Sequence, residues 1–215
     1  QVLLAILMLI LLSVLIPVRA EEAVSPMIVS ETADSTEYPA LEADIPVITS
    51  EGKSNVKIAG VKSKNKLVRY TIPETLLRAD ENFLALMVEA EKYIGYPYVY
   101  GGSKPSTGFD CSGFVCWVFR QSGVYDTGRL GAKGLYSLCT DVSRDEARPG
   151  DLVFFTKTMG ADVKGITHVG IYVGNDMMLH AGDPVGFADL QSDKWAKKIY
   201  AFGRLPVQQG AQADE

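Results

Sequence analysis

Cysteine, histidine and tryptophan are scarce in this chain: three Cys, two His and two Trp in 215 residues. Three cysteines do not make a disulfide scaffold, and an odd count leaves at least one thiol unpaired. No C-x-x-C or H-x-x-x-H spacing occurs, which argues against a zinc site. A phosphate-binding P-loop, a dinucleotide-binding glycine fingerprint and a G-x-S-x-G elbow are also missing, so no metal and no cofactor is expected. There is no internal repeat. With 47% hydrophobic and 22% charged residues, neither a wholly disordered chain nor a coiled-coil rod fits.

The net charge of −5 is an average over unlike regions. Residues 2–16 are apolar apart from Ser13. As a helix they span about 23 Å, short of the ~30 Å hydrocarbon core of a bilayer. Val18-Arg19-Ala20 offers a small-x-small cleavage site. The chain starts at Gln1 with no positive n-region in view, so residues 1–20 read as a signal peptide or, with further residues upstream, as a membrane anchor. Both imply an exported protein, extracellular or in the cell wall, that touches the membrane only if the segment stays uncleaved. Residues 21–52 carry eight acids and no Lys or Arg, without a sustained apolar period. That composition predicts a disordered, self-repelling linker. Residues 53–72 reverse the sign: Lys53, Lys57, Lys62, Lys64, Lys66 and Arg69 occur with no acid up to residue 69. A β-hairpin or a pair of edge strands fits this stretch. Its lysines either guard a solvated edge or meet an anionic lipid or wall polymer. From Lys53 onward there are 20 bases against 18 acids, which gives nucleic-acid binding little support.

Residues 73–207 read as one compact domain and residues 208–215 as a disordered tail. Asp80 is placed to cap a helix over residues 81–94, with Phe83, Met87, Ala90 and Ile94 as its apolar stripe. A second helix from Cys111 to about Ser122 is apolar nearly all round, so it is expected to be central and buried. Strand signals follow at 152–156, 166–173, 177–181 and 199–205. Helices followed by an antiparallel meander predict an α+β fold with the N-terminal helices packed on the sheet.

The two histidines, His168 and His180, fall on consecutive strands. A three-residue loop, Gly174-Asn175-Asp176, would set Val173 against Met177 and His180 against Gly170. His168 and His180 would then share a face as diagonal neighbours. A two-residue loop would put them on opposite faces. Cys111 stands where a loop enters the buried helix. A helix N-terminus lowers a thiol pKa, a histidine lowers it further, and the free N–H groups can hold an oxyanion. Asp110 is placed to cap the helix. The plainer reading of Cys111, a small buried hydrophobe, suits Cys116 and Cys139 better.

Five segments carry a family likeness: Y-P-Y-V-Y-G-G (96–102), F-D-C-S-G-F-V (109–115), R-P-G-D-L-V-F-F (148–155), H-V-G-I-Y-V-G (168–174) and M-L-H-A (178–181). In this order they resemble the NlpC family of bacterial cell-wall cysteine peptidases, over about residues 80–205. The resemblance implies a papain-like fold. It assigns the nucleophile to Cys111, the base to His168 and the third polar residue to His180. Tyr98 matches a tyrosine lining the nucleophile's site. Asp110 and Ser112 match flanking residues implicated in substrate contact. Tyr100 stands where the family often has Trp, a difference of pocket shape. The implied substrate is the peptidoglycan stem peptide, cut between γ-D-glutamyl and a diamino acid. Two alternatives remain: a thiol amidase or acyltransferase on the same fold, and a wall-binding module without turnover.

Overall fold

The computed structural model describes residues 44–160 and 162–207. The expected signal or anchor segment, the acidic stretch to residue 43 and the tail at 208–215 lie outside the described residues. Among the described residues no helix is long and apolar enough to cross a membrane.

The elements run in order β1 (Lys57–Ile58), β2 (Val61–Lys62), α1 (Glu74–Arg78), α2 (Glu81–Glu91), β3 (Ser103–Lys104), β4 (Gly108–Phe109), α3 (Cys111–Gln121), α4 (Ala132–Leu138), β5 (Thr140–Val142), β6 (Leu152–Thr156), β7 (Ile166–Gly174), β8 (Met177–Ala181), β9 (Val185–Asp189) and β10 (Ile199–Arg204). Six of the strands form one antiparallel sheet in the order β5-β10-β6-β7-β8-β9. The fold is therefore α+β, as the pattern predicts. Asp80 caps α2 by accepting from Phe83 N at 2.9 Å. Phe83, Met87 and Ala90 from α2, and Phe114, Val115 and Val118 from α3, pack against Val169, Ile171 and Leu179 of the sheet. The other sheet face carries a smaller cluster of Val153, Phe155, Met178, Leu190, Trp195 and Phe202. Six elements are absent from the sequence expectations. Of these, α1, β3, β4, α4 and β5 are short, and β9 (V-G-F-A-D) lacks the alternation that marks a strand.

The β7–β8 connection differs from expectation in an instructive way. Only Asn175 and Asp176 form the loop, both with positive φ (52° and 54°), as a two-residue turn of the primed type requires. Gly174 pairs with Met177, but Tyr172 pairs with Met178 and Ile171 with Leu179, so the ladder slips by one residue at Val173. That bulge cancels the change of face the shorter loop would impose. His180 ends up beside Gly170, where a Cβ would stand 3.1 Å from His180 Cβ and 2.8 Å from Met178 Sδ. The two histidines share a face, through a turn plus a bulge rather than through a three-residue loop.

The domain begins earlier than Pro73. Within the expected linker, Ile48 is fully buried in the main core together with Ile72. Ile72 N donates to Ile48 O and Ser50 N to Tyr70 O, each at 3.0 Å. Between these paired ends, β1 and β2 form a short hairpin, and Val56 N donates to Gly95 O at 3.0 Å. Residues 44–72 are thus a strap belonging to the domain, where a linker to 52 and a separate basic segment had been expected. The isolated apolar residues Ile48 and Ile72 show no period in sequence because they are buried by pairing with each other across the strap.

Candidate active site

Cys111 is the first residue of α3 and is 7% exposed. Asp110 caps the helix as expected, its Oδ1 accepting from Gly113 N at 2.7 Å and from Ser112 Oγ at 3.0 Å. Its Oδ2 accepts from Gly101 N at 3.1 Å and from Arg129 Nη2 at 2.7 Å. Arg129 Nη1 also reaches Ser112 Oγ at 3.1 Å. Asp110 and Ser112, implied as substrate contacts, are both buried and already occupied with each other, with α3 and with Arg129.

His168 and His180 are brought together. His168 Nε2 lies 2.8 Å from His180 Nδ1, with the rings nearly perpendicular, and both residues are buried. Trp195 closes this pair from one side. It stacks on His168 (centroids 5.2 Å apart, planes 28° apart) and meets His180 edge-on at 5.0 Å. Phe155 backs Trp195 at 4.9 Å. A cleft of about 390 Å³ opens over the histidines between Tyr98, Tyr100, Thr158, Lys194 and Trp195. Tyr100 is 79% exposed on its rim. Tyr98 stands in the field of Cys111 and Asp110. Burial, and then those two groups, push its phenol up to about 12.

The charge state at the site departs from expectation. Burial, reinforced by the Asp110 carboxylate, pushes the Cys111 thiol up to about 11. The backbone groups of Val169, Ser112 and Cys111 itself pull the other way and are outweighed. Burial, with a smaller contribution from the Lys194 ammonium, pushes His168 down to about 3. Burial and the neighbouring His168 drive His180 well below the ordinary imidazole range. These directions favour a neutral thiol and neutral imidazoles, where a lowered thiol pKa had been expected from the helix terminus. Desolvation of the sulfur exceeds the helix-end effect. All three cysteines are free thiols, with Cys116 buried in mid-helix.

Arg129 and Trp195 escape the sequence reading. The signals available were an arginine between glycines in T-G-R-L-G and a lone tryptophan in the polar run S-D-K-W-A-K-K. Neither pattern specifies a partner.

A sequence profile described as the NlpC/P60 family matches residues 95–204. The chain is 46% identical over 121 residues to the bifunctional muramidase/DL-endopeptidase CwlT of Bacillus subtilis (strain 168), covering 56% of this chain and 36% of that protein. It is 41% identical over 120 residues to the gamma-DL-glutamyl hydrolase of the same organism, covering 54% of this chain and 28% of the relative. The crystal structure of a protein described as similar to lipoprotein, of the NLP/P60 family, from Staphylococcus aureus subsp. aureus Mu50 superposes with a TM-score of 0.55 at 41% identity. That match covers 59% of this chain and 42% of the other. The matched part spans 36% of the first of these curated relatives and 28% of the second. Half of its residues fall within the family profile, including Cys111, His168 and His180, and the chain belongs to the NlpC/P60 family.

Proposed function

We propose that this protein is an exported cysteine endopeptidase of peptidoglycan stem peptides, cutting the bond between γ-D-glutamyl and the diamino acid that follows. Cys111 is the nucleophile, His168 the base and His180 the residue that orients it. The observation that carries the reading is the buried 2.8 Å bond between His168 Nε2 and His180 Nδ1, next to Val169, whose backbone is a hydrogen-bond partner of the Cys111 thiol. The relatives named as a DL-endopeptidase and a gamma-DL-glutamyl hydrolase support the choice of bond. Residues 1–20 serve as signal peptide or anchor, and the wall outside the cell is the place of action.

The hydrogen-bonded histidine pair sets the mechanism. With His168 Nε2–H donating to His180 Nδ1, the lone pair on His168 Nδ1 is free to accept a proton. As the Cys111 sulfur attacks the amide carbonyl, its proton passes to Nδ1. His180 stabilises the imidazolium that forms, and N–H groups at the start of α3 stabilise the oxyanion. His168 then protonates the leaving amine of the diamino acid, and water hydrolyses the thioester. Tyr98 and Tyr100 wall the cleft in which the peptide lies.

The test is digestion of purified peptidoglycan followed by mass spectrometry. The expected product is a new free amine between the second and third stem residues, lost in a Cys111→Ala variant with an unchanged circular dichroism spectrum. Undiminished hydrolysis by that variant would end the reading. Release of intact stem peptide from the sugar would replace it with an amidase.

A further inference from the structure

A second groove of about 330 Å³ leads away from the histidines. One wall is residues 65–68 of the strap, and Gly182, Asp183, Lys194 and Trp195 stand opposite. It shares His180, Gly182, Asp183, Lys194 and Trp195 with the cleft over the histidines, so the two join there. The strap wall is fastened in place. Asn65 Nδ2 donates to Asp183 O at 2.9 Å, and Lys64 N to Asp183 Oδ2 at 3.3 Å. Leu67 packs so closely on Gly186 that a Cβ there would stand 2.8 Å from Leu67 Cδ2. This wall precedes residue 95 and so lies outside the family-matched segment.

Charge in the groove is unevenly satisfied. Its two carboxylates are engaged by backbone donors: Asp183 by Lys64 N, and Asp189 Oδ1 by Gln191 N at 2.7 Å. Its two ammonium groups, Lys66 and Lys194, pair with no carboxylate among the described residues. Lys194 instead lies 5.0 Å from the Trp195 ring centroid. Cations without counter-ions along a groove that opens onto the reacting groups favour an anionic ligand. We propose that residues 65–68 are a wall of the substrate groove and that Lys66 and Lys194 hold a free carboxylate of the stem peptide. This inference rests on the proposed function. Two carboxylates have the right chemistry: the α-carboxylate that a γ-linked D-glutamate leaves open, and the side-chain carboxylate of meso-diaminopimelate.

Four soluble peptides separate these sources, with the glutamyl carboxylate free or amidated and the diamino acid either meso-diaminopimelate or L-lysine. On the peptide with both carboxylates, Lys66→Glu is expected to raise KM roughly fivefold while kcat holds, and Lys194→Glu to raise KM by a similar factor while also changing kcat, because its ammonium acts on His168. The difference shrinks as salt is added. It vanishes on the peptide whose missing carboxylate is the one recognised, which names the source. Lys62→Glu, on the strap but outside the groove, matches the unsubstituted chain. Equal KM for all proteins, or an equal loss on the peptide with neither carboxylate, would overturn the inference. If the unsubstituted chain cuts none of the four, the proposed function falls and calorimetric binding to Cys111→Ala protein decides the groove by itself. Weaker binding of the carboxylate peptide after Lys66→Glu supports it, and absent or unchanged binding overturns it.

Discussion

A histidine that stays neutral inside a fold makes that fold sensitive to acid. Free histidine titrates near 6.5, whereas His168 is held at about 3 and His180 well below its ordinary value, chiefly by burial. Between those limits the unfolded chain binds more protons than the folded one. The stabilisation from keeping the rings neutral is therefore fully present above pH 6.5 and is lost as pH falls towards 3. The carboxylates of Asp126, Glu146 and Asp176 are held below their usual range by hydrogen bonds, so they titrate further down and leave the interval from about 6.5 to 4.5 to the imidazoles. Urea unfolding at pH 5 is expected to show a loss of about 2 kcal/mol relative to pH 7 from His168, with His180 acting in the same direction. A His168→Gln, His180→Gln double variant should remove the slope. A pH-independent midpoint in the parent chain would contradict the buried neutral pair. At this scale the sequence was most informative about chemistry. Cys111, His168 and His180 are rare residue types in a telling order, and their identities limit what they can do. Protonation was less legible because it depends on how deeply a group is buried, and Trp195 and the sheet supply that burial from distant parts of the chain.

The start of α3 shows how an element aims a side chain. Asp110 makes four hydrogen bonds, of which the one to Gly113 N is the helix cap and the one from Arg129 closes the loop beyond the helix. Asparagine caps a helix nearly as well as aspartate but cannot pair with arginine as a carboxylate does, so two substitutions separate the roles. Asp110→Ala is expected to lose about 1–2 kcal/mol in unfolding free energy, and Asp110→Asn less. Both should lower kcat, since either frees Arg129 and Ser112 beside Cys111, the proposed nucleophile. Equal stability of the two variants would show that the cap contributes little. The helix itself was readable from its all-round apolar pattern and Asp110 from its position before it. Arg129 was not, because its reach across the loop depends on chain direction after Ser122. The β7–β8 hairpin gives the same lesson. Asn175-Asp176 identifies a turn, but whether two or three residues close it and whether a bulge follows is decided by packing of Val173 against the core. The shared face of the histidines follows from both features together.

For the molecule as a whole, the question is where the folding unit starts. The family-matched segment begins at residue 95, yet α2 and the strap both precede it and both fill the core. Ile48 and Ile72 are buried among α2, α3 and the sheet, and burying a side chain of this kind contributes about 1.5–3 kcal/mol. Ser50 and Tyr70 add hydrogen bonds that exist only if both ends of the strap are present. Composition alone hid this: an acidic stretch followed by a basic one resembles two solvated segments, and the change of sign falls in the middle of a single folded piece. Chains beginning at Asp44 and at Pro73 are expected to differ by about 3–5 kcal/mol in unfolding free energy, with the shorter one binding a hydrophobic dye at the face the strap had covered. Re-adding residues 44–72 as a separate peptide should restore part of the loss, because the strap docks through the Val56 N–H on Gly95 O and the Asn65 side-chain amide on Asp183 O. Equal denaturation midpoints for the two chains would show the strap to be an appendage. A large difference would make it part of the folded body, and the strap that closes the core through Ile48 and Ile72 would then also form, through residues 65–68, one wall of the proposed groove.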